Sequence, residues 1–197
     1  MRLIVGISGA SGSVYGIRLL EVLATRPDIE THLVISNGGK LNIALETKKS
    51  LQDVEALASV VHSDQNLGAT ISSGSFLTDG MIVAPCSMKT LSGIVNSYAD
   101  NLIVRAADVV LKERRRLVLV PREMPLHEGH CRLLYEASRL GAIIAPPMPA
   151  FYNGPRTVAD IVDHTVGRLL DLFGIDSGIV KRWRGAGRSA TERKKRR

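Results

Sequence analysis

Cysteine is nearly absent from this chain: Cys86 and Cys131 are the only two in 197 residues. That excludes a disulfide framework and makes a reducing compartment, the cytoplasm, the expected location. No apolar run reaches the length of a membrane span, and the chain enters a strand pattern at its second residue, so neither a membrane anchor nor a secretion signal is expected. Charge of one sign is also missing from most of the chain. Residues 181–197 carry nine basic groups and one acid, whereas the rest carries 17 basic and 18 acidic groups. The formal charge of +7 therefore belongs to the tail, RGAGRSATERKKRR. Such a tail reads as solvated and disordered, and nucleic-acid contact is not expected from it.

Two nucleotide fingerprints are absent as well. Gly6, Gly9, Gly12 and Gly16 do not make G-x-G-x-x-G, and no G-x-x-x-x-G-K-[ST] occurs. What residues 2–23 do show is a buried strand pattern (Leu3, Ile4, Val5, Ile7), the turn Gly9-Ala10-Ser11-Gly12-Ser13, and a helical pattern with Val14, Ile17, Leu20 and Leu23 on one face. A glycine turn at a helix N-terminus suits an anion, so a mononucleotide phosphate such as that of FMN is expected at the end of the first strand.

Strand signals recur at about 2–8, 31–36, 80–84, 117–121 and 142–145. Helical patterns lie at about 14–25, 39–46, 51–60, 87–97, 103–114, 127–140 and 157–173. This alternation predicts an α/β fold with a parallel sheet and helices on both faces. One domain over residues 1–183 and a tail over 184–197 account for the chain. Thr157 caps the last helix, Gly174 ends it, and Val158, Ile161, Val162, Thr165, Val166, Leu169, Leu170 and Phe173 form its buried face.

Ligands of such sheets collect outside the carboxyl ends of the strands. Four segments lie there: Ser36-Asn37-Gly38-Gly39, Pro85-Cys86-Ser87-Met88-Lys89-Thr90, Pro121-Arg122-Glu123-Met124-Pro125, and the proline-rich stretch ending in Phe151-Tyr152; upstream of the third strand, Ile71-Ser72-Ser73-Gly74-Ser75-Phe76 also reads as a polar ligand loop. Each has a plainer reading. Ser87 and Thr90 suit helix capping, Cys86 suits a buried small hydrophobe, and Arg122 suits an ion pair with Glu123. Arg105, Asp108 and Lys112 make a charged stripe on one helical face, and Arg168 lies beside Asp171. His127-Glu128-Gly129-His130 lacks the spacing of a zinc helix, with Cys131 where a second histidine belongs, so no metal is expected.

Taken together, the segments resemble the flavin prenyltransferase family of the UbiX/Pad type. The resemblance spans residues 1–183 and rests on GISGASG at 6–12, LET at 45–47, SSGSF at 72–76, PCSMKTLSGI at 85–94, NLIVRAADVVLKERR at 101–115, LVLVPREMPL at 117–126 and PPMPAFY at 146–152. It implies a Rossmann-like flavoprotein fold, a homo-oligomer (a dodecamer in the family) and metal-free transfer of a dimethylallyl group from dimethylallyl monophosphate to reduced FMN. Bonds form at flavin N5 and C6, and the prenylated FMN product serves UbiD-type decarboxylases.

By position, the resemblance assigns FMN contacts to Gly9, Ala10, Ser11, Ser36, Ser87, Met88, Lys89, Thr90 and Arg122. It assigns the dimethylallyl phosphate to Arg105, Lys112, Glu123, Tyr152 and Arg168, and further active-site positions to Glu46 and Trp183. Ser11, Glu46, Lys112, Glu123 and Trp183 are the expected catalytic set. The residue types suit the chemistry: cations stabilise a leaving phosphate, a glutamate moves a proton, and aromatics wall an allylic cation.

Three positions depart from the family pattern: Asn37 follows Ser36 in place of lysine, Arg116 stands where proline is usual, and the tail is extra. A flavin-dependent decarboxylase of the peptidyl-cysteine type, an aromatic-acid decarboxylase and a non-catalytic flavin carrier are the competing readings. The first would place a histidine in the helix after the second strand, where this chain has Glu46.

Overall fold

The computed structural model describes residues 1–183 and 185. The tail expected to be disordered at 184–197 lies, apart from Gly185, outside the described residues. The elements in order are β1 (Arg2–Ile7), α1 (Ser13–Ala24), β2 (Glu30–Ile35), α2 (Asn37–Glu46), α3 (Leu51–Glu55), β3 (Val60–Ser63), β4 (Gly80–Cys86), α4 (Met88–Val95), α5 (Leu102–Lys112), β5 (Arg116–Pro121), α6 (Glu128–Leu140), β6 (Ile143–Ile144) and α7 (Val158–Asp171). They fall into two compact units, Met1–Met148 and one beginning at Pro149.

In the first unit all six strands pair in parallel, in the order β3-β2-β1-β4-β5-β6. The inner strands read as continuous apolar runs because both faces of the sheet are covered. The Cβ position of Gly6 meets Ile103 of α5, whereas the neighbouring Ile7 side chain meets Gly16 of α1. Successive strand residues point to opposite faces, so α1 and α5 cover opposite sides of the sheet. One apolar core joins Met81, Val83, Leu117 and Leu119 of the strands to Leu91 and Ile94 of α4 and to Ile103, Ala106 and Val110 of α5.

The sequence patterning anticipates this α/β sheet but misses one strand. Residues 51–60, expected as one helix, divide. Ser50 and Asp53 form a capping box that starts α3, yet the helix stops at Glu55. The β-branched pair Val60-Val61 opens an edge strand against β2. Edge placement leaves β3 only half-buried, which removes the apolar signal that marks the inner strands. Val14, expected on the buried face of α1, is 40% exposed.

In the second unit, Thr157 and Asp160 form a capping box at the start of α7. Val162, Val166, Leu169 and Leu170 are buried as expected, but Val158 in the first turn is 76% exposed. Gly174 follows the helix with φ +71°. A Cβ on Gly167 would fall 1.9 Å from Val180 Cγ2, so the 177–180 segment lies directly on α7.

Two predictions follow from the first unit. A Cβ on Gly16 would lie 2.2 Å from the Ala84 carbonyl oxygen, a backbone atom that cannot swing aside. Gly16→Ala is expected to cost ~1–3 kcal/mol or more, read from urea unfolding midpoints. The second concerns His32 Nδ1, which lies 2.9 Å from His62 Nε2, with Glu30 3.0 Å from His32 Nε2. Burial, then the neighbouring His32, lowers the His62 pKa below its usual value. The native state thus binds fewer protons than the unfolded chain as pH falls below about 6.5, so stability drops in that window. His62→Gln should flatten this acid-side slope, measured as urea midpoints between pH 7.5 and 5.5.

Candidate active site

The order of the strands reverses at β1 and β4, which are neighbours in the sheet, and their carboxyl ends form the crevice where such sheets bind ligands. Ser8, fully buried, ties the two ends together. Its N–H and hydroxyl both donate to the Pro85 carbonyl at 3.1 and 3.0 Å, and its Oγ accepts the Ser87 N–H at 2.8 Å. Sequence reading passed over Ser8, although a serine directly after a buried strand is a visible signal.

The turn after β1 binds an anion, as its composition predicts, but the anion is the chain's own. Glu46, at the end of α2, accepts the N–H groups of Gly12 and Ser13 at 3.0 and 2.9 Å and the Ser13 hydroxyl at 2.8 Å. Burial pushes the Glu46 carboxyl up, but bonds from Ser13, Gly12 and Ser11 outweigh that and hold its pKa below the usual carboxylate value. The Gly12 and Ser13 donors of this turn are therefore taken by Glu46, whereas Gly9 at its start faces the neighbouring cavity. Sequence alone could not show this, because 33 residues separate Ser13 from Glu46.

Free helix N-termini occur next door. A cavity of about 510 Å³ is lined by Gly9, by Ser36, Asn37 and Gly38 at the start of α2, and by Ser87, Met88, Lys89 and Thr90 at the start of α4. Asp64, Gln65, Asp100, Asn101 and Glu123 complete it. Ser36 Oγ accepts the Gly39 N–H and Ser87 Oγ the Thr90 N–H, so both serines cap; the plainer reading anticipates this for Ser87, whereas Ser36 is expected only in a loop. The remaining first-turn N–H groups of both helices have no helical acceptor and suit a phosphate. Gly38 and Gly9 pack backbone to backbone, a Cβ on Gly38 falling 2.9 Å from the Gly9 Cα, which lets the α2 terminus reach the crevice. Glu123 is exposed, and its Oε1 accepts the Met124 N–H at 3.0 Å. Arg122 holds the loop through its own N–H, donated to the Cys86 carbonyl. Burial pushes the Cys86 thiol up to about 12, so it is no nucleophile at neutral pH.

Other expected site residues lie apart from this cavity. Arg105 Nε donates to the Ser72 carbonyl and its Nη1 pairs with Asp108 at 3.0 Å. Lys112 pairs with Glu113 against Gly74. These cations thus sit on α5 beside the SSGSF loop and do not line the cavity. Ala10 and Ser11 belong to the Glu46 turn and do not line it either.

In the second unit, Tyr152, Arg168 and Trp183 meet around a smaller cavity of about 370 Å³, with His164, Val180, Lys181 and Arg182. Tyr152 packs edge-on against Trp183 at 5.6 Å between centroids. Arg168 and Arg182 share Asp171, at 2.7 and 3.0 Å. Asp64, Gln65, Asp100 and Asn101 in the first cavity, and His164, Lys181 and Arg182 in the second, were not anticipated. Asp64 and Gln65 follow the strand that sequence patterning hid inside a helix.

Because the folded Glu46 pKa is lowered, its stabilisation is present above the unfolded value and is lost as pH falls through the folded one. The carboxylate is exposed and screened, so Glu46→Gln should cost less than ~1 kcal/mol at pH 7. The gap to wild type should close below about pH 4, measured by urea unfolding at both pH values.

The sequence profile of the Flavoprotein family matches residues 1–170. The flavin prenyltransferase UbiX of Escherichia coli strain K12 is 57% identical over 187 residues, which cover 94% of this chain and 99% of the relative. Among solved structures, a dodecameric FMN-dependent UbiX-like decarboxylase from Escherichia coli O157:H7 superposes with a TM-score of 0.93 at 57% identity, covering 94% of this chain and all of that one. AnUbiX (PadA1), solved with FMN and dimethylallyl pyrophosphate, gives a TM-score of 0.92 at 50% identity over 94% of this chain and 98% of its own. With a shared fold, matching lengths and identity at this level, the chain belongs to the UbiX-type flavin prenyltransferases of the Flavoprotein family.

Proposed function

We propose that this protein transfers the dimethylallyl group of dimethylallyl monophosphate to reduced FMN, with new bonds at flavin N5 and C6. The observation that carries the reading is the cavity at the β1/β4 crevice. It combines two serine-capped helix N-termini for a phosphate with a glutamate on its wall. FMN fits this donor set: its phosphate suits the first turns of α2 and α4, and it supplies the nucleophilic ring that accepts the prenyl group.

The residues divide the work by chemistry. Ser36 and Ser87 hold and orient the flavin phosphate through the helix termini they cap, with Thr90 in the first turn of α4 beside them. Glu123 moves a proton within the cavity. Arg105, Lys112, Arg122 and Arg168 stabilise charge on the departing phosphate. Tyr152 and Trp183 give the electron-rich wall that a developing allylic cation needs. Glu46, held ionised by the first turn, fixes that turn against α2. No histidine lies on α2, where a peptidyl-cysteine decarboxylase would carry one.

Arg105 and Lys112 lie away from this chain's own cavity. A neighbouring copy in a homo-oligomer delivers them, a reading supported by the dodecameric state of the similar UbiX-like structure. The prenylated flavin passes to a decarboxylase of the UbiD type. Among the described residues no helix is long and apolar enough to cross a membrane.

Anaerobic incubation with reduced FMN and dimethylallyl monophosphate should release a flavin heavier by one isoprene unit in mass spectrometry. Bound but unmodified FMN with both the monophosphate and the pyrophosphate donor would overturn the reading. Glu123→Gln is expected to slow turnover by about 100-fold or more while FMN binding persists. If copies share sites, mixing Glu123→Gln protein with Lys112→Ala protein should restore part of the lost activity, measured by the same assay.

A further inference from the structure

Tyr152 brings two groups to the smaller cavity, a ring and a hydroxyl, and a histidine stands at the hydroxyl. His164 lies on α7 one turn before Arg168, so the two share a helix face, and both line that cavity. The His164 ring meets Tyr152 edge-on, with centroids 5.8 Å apart and planes at 85°. Trp183 meets Tyr152 in the same manner at 84°, so Tyr152, although exposed, packs against both rings.

The two ring nitrogens of His164 have different neighbours. Asn153 Nδ2 lies 3.0 Å from Nδ1, and the Tyr152 hydroxyl lies 3.5 Å from Nε2. The Asn153 amide is devoted to His164, since its buried Oδ1 has no partner. Asn153 is itself held through its backbone carbonyl, which accepts from Lys181 Nζ. An amide N–H given to Nδ1 requires that nitrogen to be bare, so the proton of the neutral imidazole sits on Nε2. Nε2 then faces the tyrosine oxygen as a donor. Contacts of this length in a site without substrate tighten once it binds. A tyrosine oxygen that accepts from one side still has its own proton to give. Arg168, Lys181 and Arg182 make the cavity cationic, with Asp171 shared by the two arginines, so the group that meets this proton is an anion.

We propose that His164 is a positioning residue: its Nε2–H holds the Tyr152 oxygen and leaves the tyrosine proton for an oxygen of the dimethylallyl phosphate at Arg168. This rests on the prenyl-transfer reading given above and adds the group that orients one hydrogen-bond donor to the phosphate. His164 acts through Tyr152 and touches no reacting atom.

The test is anaerobic turnover of the full chain with reduced FMN and varied dimethylallyl monophosphate, read as kcat/KM, alongside fluorescence titration with oxidised FMN. His164→Phe keeps a ring and removes both nitrogens. It should lower kcat/KM about 3- to 10-fold, the span of one hydrogen bond between neutral groups, with FMN affinity unchanged. His164→Leu replaces it should the phenyl ring not pack, with the same expectation. His164→Gln puts an amide nitrogen where Nε2 stands and should bring kcat/KM back within about twofold of wild type. In Tyr152→Phe protein, His164→Phe should cost nothing further, because the oxygen it holds is gone. An unchanged kcat/KM in His164→Phe would overturn the proposal. So would a loss that His164→Gln does not restore, or one that persists in full in Tyr152→Phe protein, as packing alone would give. Failure of wild type to prenylate FMN with either donor would instead overturn the prenyl-transfer reading, and this proposal with it.

Discussion

Close backbone contact at the carboxyl end of β1 is the constraint on which the first unit depends. Added Cβ atoms on Gly16 and Gly39 would fall 2.2 and 2.4 Å from the carbonyl oxygens of Ala84 and Ile7. No side chain fits there, so α1 and α2 lie directly on the strand ends. That contact sets where the helices begin, and where they begin decides where backbone N–H groups are left for a ligand. Ser8 completes the arrangement by fastening β1 to β4. The site is therefore a by-product of packing as much as of its polar residues.

Competition between anions organises what lies around that packing. The α1 terminus is satisfied by Glu46, whose carboxylate is held ionised by the turn it fills. The α2 and α4 termini open on the cavity. An internal carboxylate thus takes the Gly12 and Ser13 N–H groups at the α1 terminus and ties that turn to the end of α2.

Three of the cations proposed for the departing phosphate, Arg105, Lys112 and Arg168, are each held by partners within their own unit. Arg105 and Lys112 are held on α5 by Asp108, Ser72 and Glu113, while Arg168 and Arg182 converge on Asp171 in the second unit. Each cation already has an acceptor. Such pairing holds a long side chain near one position, so less order has to be gained when a ligand arrives. The cap of α5, Asn101, lines the first cavity, but Arg105 and Lys112 further along the helix do not.

Sequence by itself determined the fold class, the alternation of inner strands and helices, the caps at Ser87 and Thr157, and the family. These are local matters: a buried strand declares itself by an unbroken apolar run, and a cap by a hydroxyl just before a periodic segment. Tertiary structure decided the rest. β3 escaped because an edge strand buries too little to stand out, and Asp64 and Gln65 were hidden with it. Nothing local reveals that Glu46 folds back onto the first turn. Which charged groups meet, which helix termini stay open and which buried oxygen lacks a partner depend on contacts between residues far apart in the chain, and only the folded molecule brings those together.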